Sequence, residues 1–312
     1  MIEIILFFLL LCISLYLVMR SAESANSSSI EIARSLRLPK YVIGFLIVAV
    51  ISILPETFIS ITSAIDGIPS FGLGTLFGSN VADLTLIFAL VVLISGKKLK
   101  VASCVIKNSF LYIGIMLLPL LFGINGFYSR MEGIILVVAG CFFYWFILKN
   151  GHLVPTEKKV KFSFKNIIFL AVSMGCLLAG AKYTVDFGVS LAVALNISPV
   201  VIGMFIVGLG TTMPELFFSL RAAKEKNDSL ALGDILGTVV ADATVVVGII
   251  SIIHPFSFDP KIVYMTGSFM FGAILILLHF MKTGKVLSKK ESVLLLLFYV
   301  LFVLSEAIVA GL

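Results

Sequence analysis

Charge is scarce in this chain. Only 13% of its 312 residues are charged, against roughly a quarter in soluble globular domains, whereas 60% are hydrophobic and the mean hydropathy is +1.16. That balance excludes a soluble fold and makes the chain an integral membrane protein. Histidine and cysteine are nearly missing as well, with 3 and 4 residues. The cysteines, Cys12, Cys104, Cys141 and Cys176, are scattered through apolar segments without metal or redox spacing and read as small buried apolar residues. A site for a soft metal is therefore not offered.

What is present is a succession of apolar runs. About 20 residues of helix are needed to cross a hydrocarbon layer of roughly 30 Å, and ten runs qualify: 2–19, 40–65, 71–95, 103–122, 132–149, 166–182, 197–222, 230–253, 262–281 and 292–310. Helices are expected because no water is available there to satisfy an open backbone. The first run has no basic residue before it and Arg20 after it, so a retained helix is expected rather than a secretory signal.

Basic residues set the orientation, since short cytoplasmic loops collect them. All but three of the 23, namely Arg130, Lys182 and Lys261, fall after the first, third, fifth, seventh or ninth run. Both termini are expected outside, with the chain in the cell membrane. The basic balance reflects topology and lipid contact, not nucleic-acid binding. Residues 150–165, with five basic or proline positions from Pro155 to Lys165, read as a cytoplasmic linker between halves 1–149 and 166–312.

The halves are copies. The strings V-I-G, P-E and G-x-x-x-G-[ST]-x-V-A-D recur at a constant offset of 159 residues, from Val42 to Asp83 and from Val201 to Asp242. With five helices per copy the second must enter the membrane upside down, which places a binding site at the midplane between inverted repeats. The loop after the paired helices agrees: Asp66-Gly67-Ile68-Pro69 carries no basic residue, whereas Lys224 to Asp228 carries two lysines.

Each copy buries acid. Glu56 follows Leu54-Pro55 and Glu215 follows Met213-Pro214, and proline removes a helix donor and crowds the preceding turn. Each helix is expected to break there, freeing carbonyls around Ala49 to Ser52 and Gly208 to Thr211. Asp83 and Asp242 lie one helix onward, four residues after Ser79 and Thr238 and so on the same face. Ser52 and Ser60 bracket Glu56 at the same spacing, and Thr211 and Ser219 bracket Glu215. Carboxylates, hydroxyls and free carbonyls make an all-oxygen cage suited to hard cations such as calcium. The spacings Gly74-x-x-x-Gly78 and Gly233-x-x-x-Gly237 allow close helix approach.

These elements resemble those of the sodium/calcium exchanger family, within the calcium:cation antiporter superfamily, whose two repeats carry G-T-S-x-P-E and G-[ND]-x-x-G-S-[NA]-x-x-[ND]. The resemblance implies ten helices in two inverted five-helix repeats, a transporter and not an enzyme, and exchange of calcium for sodium without a cofactor. It further implies that calcium and sodium are the partners besides lipid, and that a monomer suffices. By the family pattern Glu56 and Glu215 are the central calcium ligands. Asp83, Asp242, Ser52, Ser79, Thr211, Thr212 and Thr238, with carbonyls near Ala49 and Gly208, complete the sites. Copy two keeps the pattern as Gly210-Thr211-Thr212-Met213-Pro214-Glu215. Copy one departs from it, with Ile53 in place of a hydroxyl and Asp83 where several sodium-coupled members have asparagine. Asp234 also replaces a frequent asparagine. Proton-coupled exchange of calcium or another divalent cation is the alternative. A channel and an intramembrane aspartyl protease, the latter suggested by Leu232-Gly233-Asp234, are more distant readings.

Overall fold

The computed structural model describes residues 2–35, 53–101, 103–149, 163–225 and 228–310. The described residues are mostly helical. Its helices are α1 (Ile2–Ser35), α2 (Leu54–Ile65), α3 (Pro69–Ser95), α4 (Ser103–Lys107), α5 (Ser109–Gly123), α6 (Arg130–Lys149), α7 (Phe164–Leu195), α8 (199–211), α9 (Met213–Lys224), α10 (228–253), α11 (Val263–Gly284) and α12 (Lys289–Ala310). Among the described residues eight spans are long and apolar enough to cross a membrane, and Ser109–Gly123 is a shorter apolar helix. The first part of the expected 40–65 span, and most of the linker, lie outside the described residues.

Two helices outrun their expected bounds. α1 continues past Met19 to Ser35, so Arg20 and Arg34 lie on a helix and not in a loop, with Arg20 Nη1 2.7 Å from Glu23. α7 continues past Lys182 to Leu195. Lys182 bridges Asp66 and Asp186 at 2.9 Å each, which ties α7 to the α2–α3 turn. Hydrophobicity marks where a helix meets lipid, whereas a helix ends only at a terminating signal. For α7 that signal is Asn196 in the left-handed region (φ 56°), with Ile197 N–H donating to the Ala192 carbonyl at 3.0 Å.

α1 and α7 run antiparallel. Ser14 meets Thr184 at 3.1 Å, Ser24 meets Ser173 at 2.8 Å and Glu31 meets Asn166 at 2.7 Å, so one number rises as the other falls. Their apolar faces, with Ile59, Phe71, Ile202 and Val207, form a hydrophobic cluster separate from the larger one built by the remaining helices.

The 159-residue offset extends to element boundaries. α2 maps onto α9 and the segment Pro69–Ala82 onto Asp228–Ala241 without a shift. Ser60 Oγ donates to the Gly72 carbonyl, and Ser219 Oγ to the equivalent Ala231 carbonyl. Capping boxes recur too: Ser129 and Glu132 close the start of α6, Ser288 and Glu291 that of α12. Two minimal strand pairs join the copies at the helix ends, β1 (Leu99–Lys100) with β4 (Val286–Leu287) and β2 (Phe127–Tyr128) with β3 (Phe256–Ser257). Burial, with Glu132 nearby, pushes the Tyr128 phenol up and keeps it a donor to the Pro119 carbonyl at 2.6 Å.

The cysteines differ from expectation. Cys12 and Cys141 are free and exposed on the helix periphery, and Cys176 is half-buried. A thiol loses little by facing lipid, so the apolar surroundings did not imply burial.

Glycine sets the spacing at the centre. A Cβ at Gly78 would lie 2.5 Å from the Met204 carbonyl, and one at Gly74 2.5 Å from the Val200 carbonyl, so α3 touches α8 backbone to backbone. Gly78→Ala is therefore expected to destabilise the fold by roughly 1–3 kcal/mol, seen as a lower melting temperature in detergent. Gly114→Ala, with nothing within 4 Å, should leave it unchanged.

Candidate functional site

The two glutamates sit in the first turns of α2 and α9, each just after its proline. Ile53 (φ −79°, ψ −2°) and Thr212 (φ −78°, ψ −4°) have near-helical values. In copy two, where helix both precedes and follows Thr212, the expected break is a kink of about one residue, because Thr212 N–H still reaches the Gly208 carbonyl and Leu216 N–H the Thr212 carbonyl. In copy one Thr57 N–H reaches the Ile53 carbonyl, and the residues before Ile53 lie outside the described ones. The Gly208 carbonyl accepts from Thr212 N–H at 3.2 Å and Thr211 Oγ1 at 3.1 Å. Thr212 Oγ1 donates to Leu209 at 3.0 Å. Ser52 and Ala49 lie outside the described residues.

Each aspartate opens a single turn of π-helix, Asp83–Ile87 and Asp242–Val246, inside an otherwise α-helical span. Such a turn inserts one extra residue into the helix. Within each, a threonine hydroxyl, Thr85 or Thr244, donates to the carbonyl four residues back, Val81 or Val240, at 2.5 and 2.6 Å. Both threonines sit two residues after the aspartate at the 159 offset, a signal present in the sequence and passed over. Asn80 was also passed over; it is buried, with Nδ2 3.6 Å from Met270 Sδ.

The fold brings the expected residues together. Glu56, Asp83, Glu215 and Asp242 are fully buried, as are Ser79, Thr211, Thr212 and Thr238. Glu56 is close enough to feel Asp242, Thr211 and Asp83, Asp83 feels Glu215 and Asp234, and Asp242 feels Asp83 and Glu215. A Cβ on Gly208 would lie 3.0 Å from the Ser79 amide, which sets that kink against the aspartate helix of copy one. Tyr144 Oη donates to the Gly237 carbonyl at 2.7 Å, supporting the aspartate helix of copy two.

Both carboxylate oxygens of Asp83 and Asp242 are buried without a hydrogen-bond partner, as is the Thr238 hydroxyl, whereas Glu56 meets the Thr211 side chain. Removing an unpaired carboxylate from water costs several kcal/mol even after relaxation. A cluster of this kind calls for cations or protons. Among the described residues no three acidic, histidine or cysteine side chains converge tightly enough to hold a metal by themselves. A hard cation there would combine at most two carboxylates with hydroxyl and carbonyl oxygens, which suits calcium or sodium better than a soft metal.

Comparison with known proteins agrees with this chemistry. Residues 6–149 and 165–306 match the family model described as sodium/calcium exchanger protein. The sodium/calcium exchanger MaX1 of Methanosarcina acetivorans is 26% identical over 95% of this chain and 97% of its own length. The uncharacterized membrane protein MJ0091 of Methanocaldococcus jannaschii is 30% identical over 68% and 70%. A solved structure of the sodium-calcium exchanger NCX_Mj, soaked with sodium and calcium, superposes with a TM-score of 0.69 at 26% identity, covering 97% of this chain and 98% of that one.

The π-turn hydroxyls give a test of how the aspartates are held. Thr244→Val or Thr85→Val removes a buried hydroxyl-to-carbonyl hydrogen bond and is expected to cost about 1 kcal/mol, read as a fall in detergent melting temperature. The serine replacements should retain most of the stability.

Proposed function

The chain belongs to the sodium/calcium exchanger family, and from that premise we propose that it is a secondary antiporter exchanging calcium for sodium by alternating access. It is an integral membrane cation exchanger and not an enzyme, which disposes of the protease reading. One observation carries the finer reading: acid from both copies meets at the centre of the fold with carboxylate oxygens that find no partner in the protein. Each ion that leaves such a cluster exposes charge that another must neutralise, so obligatory exchange follows more naturally than a pore. Glu56 and Glu215 serve as the calcium carboxylates. Asp83, Asp242, Ser79, Thr211, Thr212 and Thr238 complete the calcium and sodium positions, with Ser52 and the carbonyls near Ala49 and Gly208.

Residues 1–149 and 166–312 form inverted repeats around the linker 150–165. The support is the antiparallel run of α1 against α7 and the recurrence of element boundaries at one offset. Ten spans follow if 40–65 and 103–122 each cross. Both termini then face outside the cell membrane, and a single chain contains the whole site.

A second reading is favoured by one feature. Asp83 is a carboxylate where a neutral amide would suit sodium, and Asp234 lies close enough to interact with it. A proton can neutralise such an acid, so proton-coupled divalent exchange is the runner-up.

Calcium uptake into proteoliposomes, with sodium, potassium and proton gradients imposed separately, decides between them. Uptake driven by opposed sodium supports the first reading, and uptake that needs only a calcium gradient rejects antiport. Glu56→Gln and Glu215→Gln should each abolish calcium transport in a protein that still purifies as a monodisperse peak. Substantial residual exchange in either would remove that residue from the site. Asp83→Asn should flatten the pH profile and raise sodium dependence if the acid cycles a proton; an unchanged profile counts against proton coupling.

A further inference from the structure

The two strand pairs are built alike and charged differently. In each, a residue in the left-handed region leads into a strand: Gly126 (φ 74°) before β2 and Lys285 (φ 52°) before β4, at the 159 offset. Each holds the facing segment in the same way, the Gly126 carbonyl accepting from Phe258 N–H at 2.8 Å and the Lys285 carbonyl from Val101 N–H at 2.9 Å. A β-carbon makes that backbone conformation costly, and glycine adopts it freely. The lysine at 285 is therefore kept against the preference of its backbone, which points to a use for its side chain.

The charge around it is one-sided. Pairing of β1 with β4 sets residues 97–107, with four lysines and no acid, beside residues 282–291, with four lysines and Glu291. All of these lysines are exposed, and none forms an ion pair among the described residues. The acids at hand are engaged by backbone, Asp228 accepting from Lys100 N–H at 2.9 Å and Glu291 from Ser288 N–H at 2.7 Å. Around β2 and β3, by contrast, Arg130 and Lys261 are balanced by Glu132 and Asp259. Depth in the membrane is marked beside the basic pair. Phe110, at the start of α5, is 81% exposed, and Lys282 Nζ, from the last turn of α11, lies 5.0 Å from its ring centre. A lysine folded over an exposed aromatic belongs at the border between hydrocarbon and headgroups.

We infer that the β1–β4 clasp is a binding site for an anionic phospholipid, on the cytoplasmic leaflet by the basic-residue topology. Lys98, Lys100 and Lys285 supply the positive charge that meets its phosphate, and Phe110 with the Lys282 stem flanks its acyl chain. Recognition is by net negative charge at headgroup level. The bound lipid joins copy one, through β1, to copy two, through β4, and its binding does not depend on which ions are exchanged.

Native mass spectrometry of the purified protein, offered equal phosphatidylglycerol and phosphatidylcholine, tests this. The parent should retain phosphatidylglycerol in preference, and the preference should fall as ammonium acetate is raised from about 0.05 to about 0.5 M. Lys98→Gln combined with Lys100→Gln should lower it about fivefold or more, whereas Lys149→Gln combined with Lys165→Gln, an equal loss of charge on the same face, should leave it within about twofold. Lys285→Gly separates binding from folding. It relieves the left-handed strain, so the melting temperature in detergent should hold or rise, while the preference falls about fivefold. Inorganic phosphate in excess should not displace the lipid; displacement would mark a free-anion site and overturn the assignment to a membrane lipid. A parent without preference also overturns the site, as does a preference unchanged by both Lys285→Gly and the Lys98 and Lys100 replacements. Equal loss in the Lys149 and Lys165 control would reduce the effect to the general charge of that face and reject the clasp.

Discussion

The structure is organised around acid that the protein does not neutralise. Glu56, Asp83 and Asp242 are fully buried, and none of the carboxylate oxygens of Asp83 and Asp242 accepts a hydrogen bond from the protein. In a stable core such groups would be paired or replaced, since an apolar substitute of similar size is often neutral or favourable. Their cost is tolerable only where a mobile cation or proton is part of the folded state, and that couples the fold to its ionic surroundings. A site satisfied by its own protein would hold no ion, and one that held its ion with a complete set of fixed ligands would not release it.

The surrounding helices keep that arrangement dry and narrow. Gly74 and Gly78 let α3 press on the α8 backbone, and Gly208 sits against the Ser79 amide, leaving no side chain between the kink of one copy and the aspartate helix of the other. The π-turns complete the geometry. By adding one residue to the helix they rotate everything beyond the aspartate relative to everything before it. In each, a threonine hydroxyl, Thr85 or Thr244, donates to the carbonyl four residues back. The π-turns and their threonines occur at equivalent positions of both copies, as duplication of one folded unit requires.

Much of this was legible in the sequence, because burial of acid in apolar runs and repetition at a fixed offset are both written in residue identities. The runs 71–95, 132–149 and 292–310 match Pro69–Ser95, Arg130–Lys149 and Lys289–Ala310 within a few residues. The misses share a physical origin. Composition locates lipid contact, so it stopped α1 at Met19 although the helix runs through polar residues to Ser35. A π-turn changes no residue type and hides from periodicity. Proline signalled a break, but in copy two the hydrogen bonds flanking Thr212 limit it to a kink. The strand pairs, two residues long, carry no pattern at all.

Symmetry and its failures divide the labour. At the centre, Glu56 and Glu215, and Asp83 and Asp242, are interchangeable by position. The margin is not: the residues 159 positions before Glu306 and Thr266 are Ile147 and Lys107, so the hydrogen bond from Thr266 to Glu306 has no counterpart in copy one. The duplicated core is therefore where the two copies can act alike, and the unduplicated margin is where they differ.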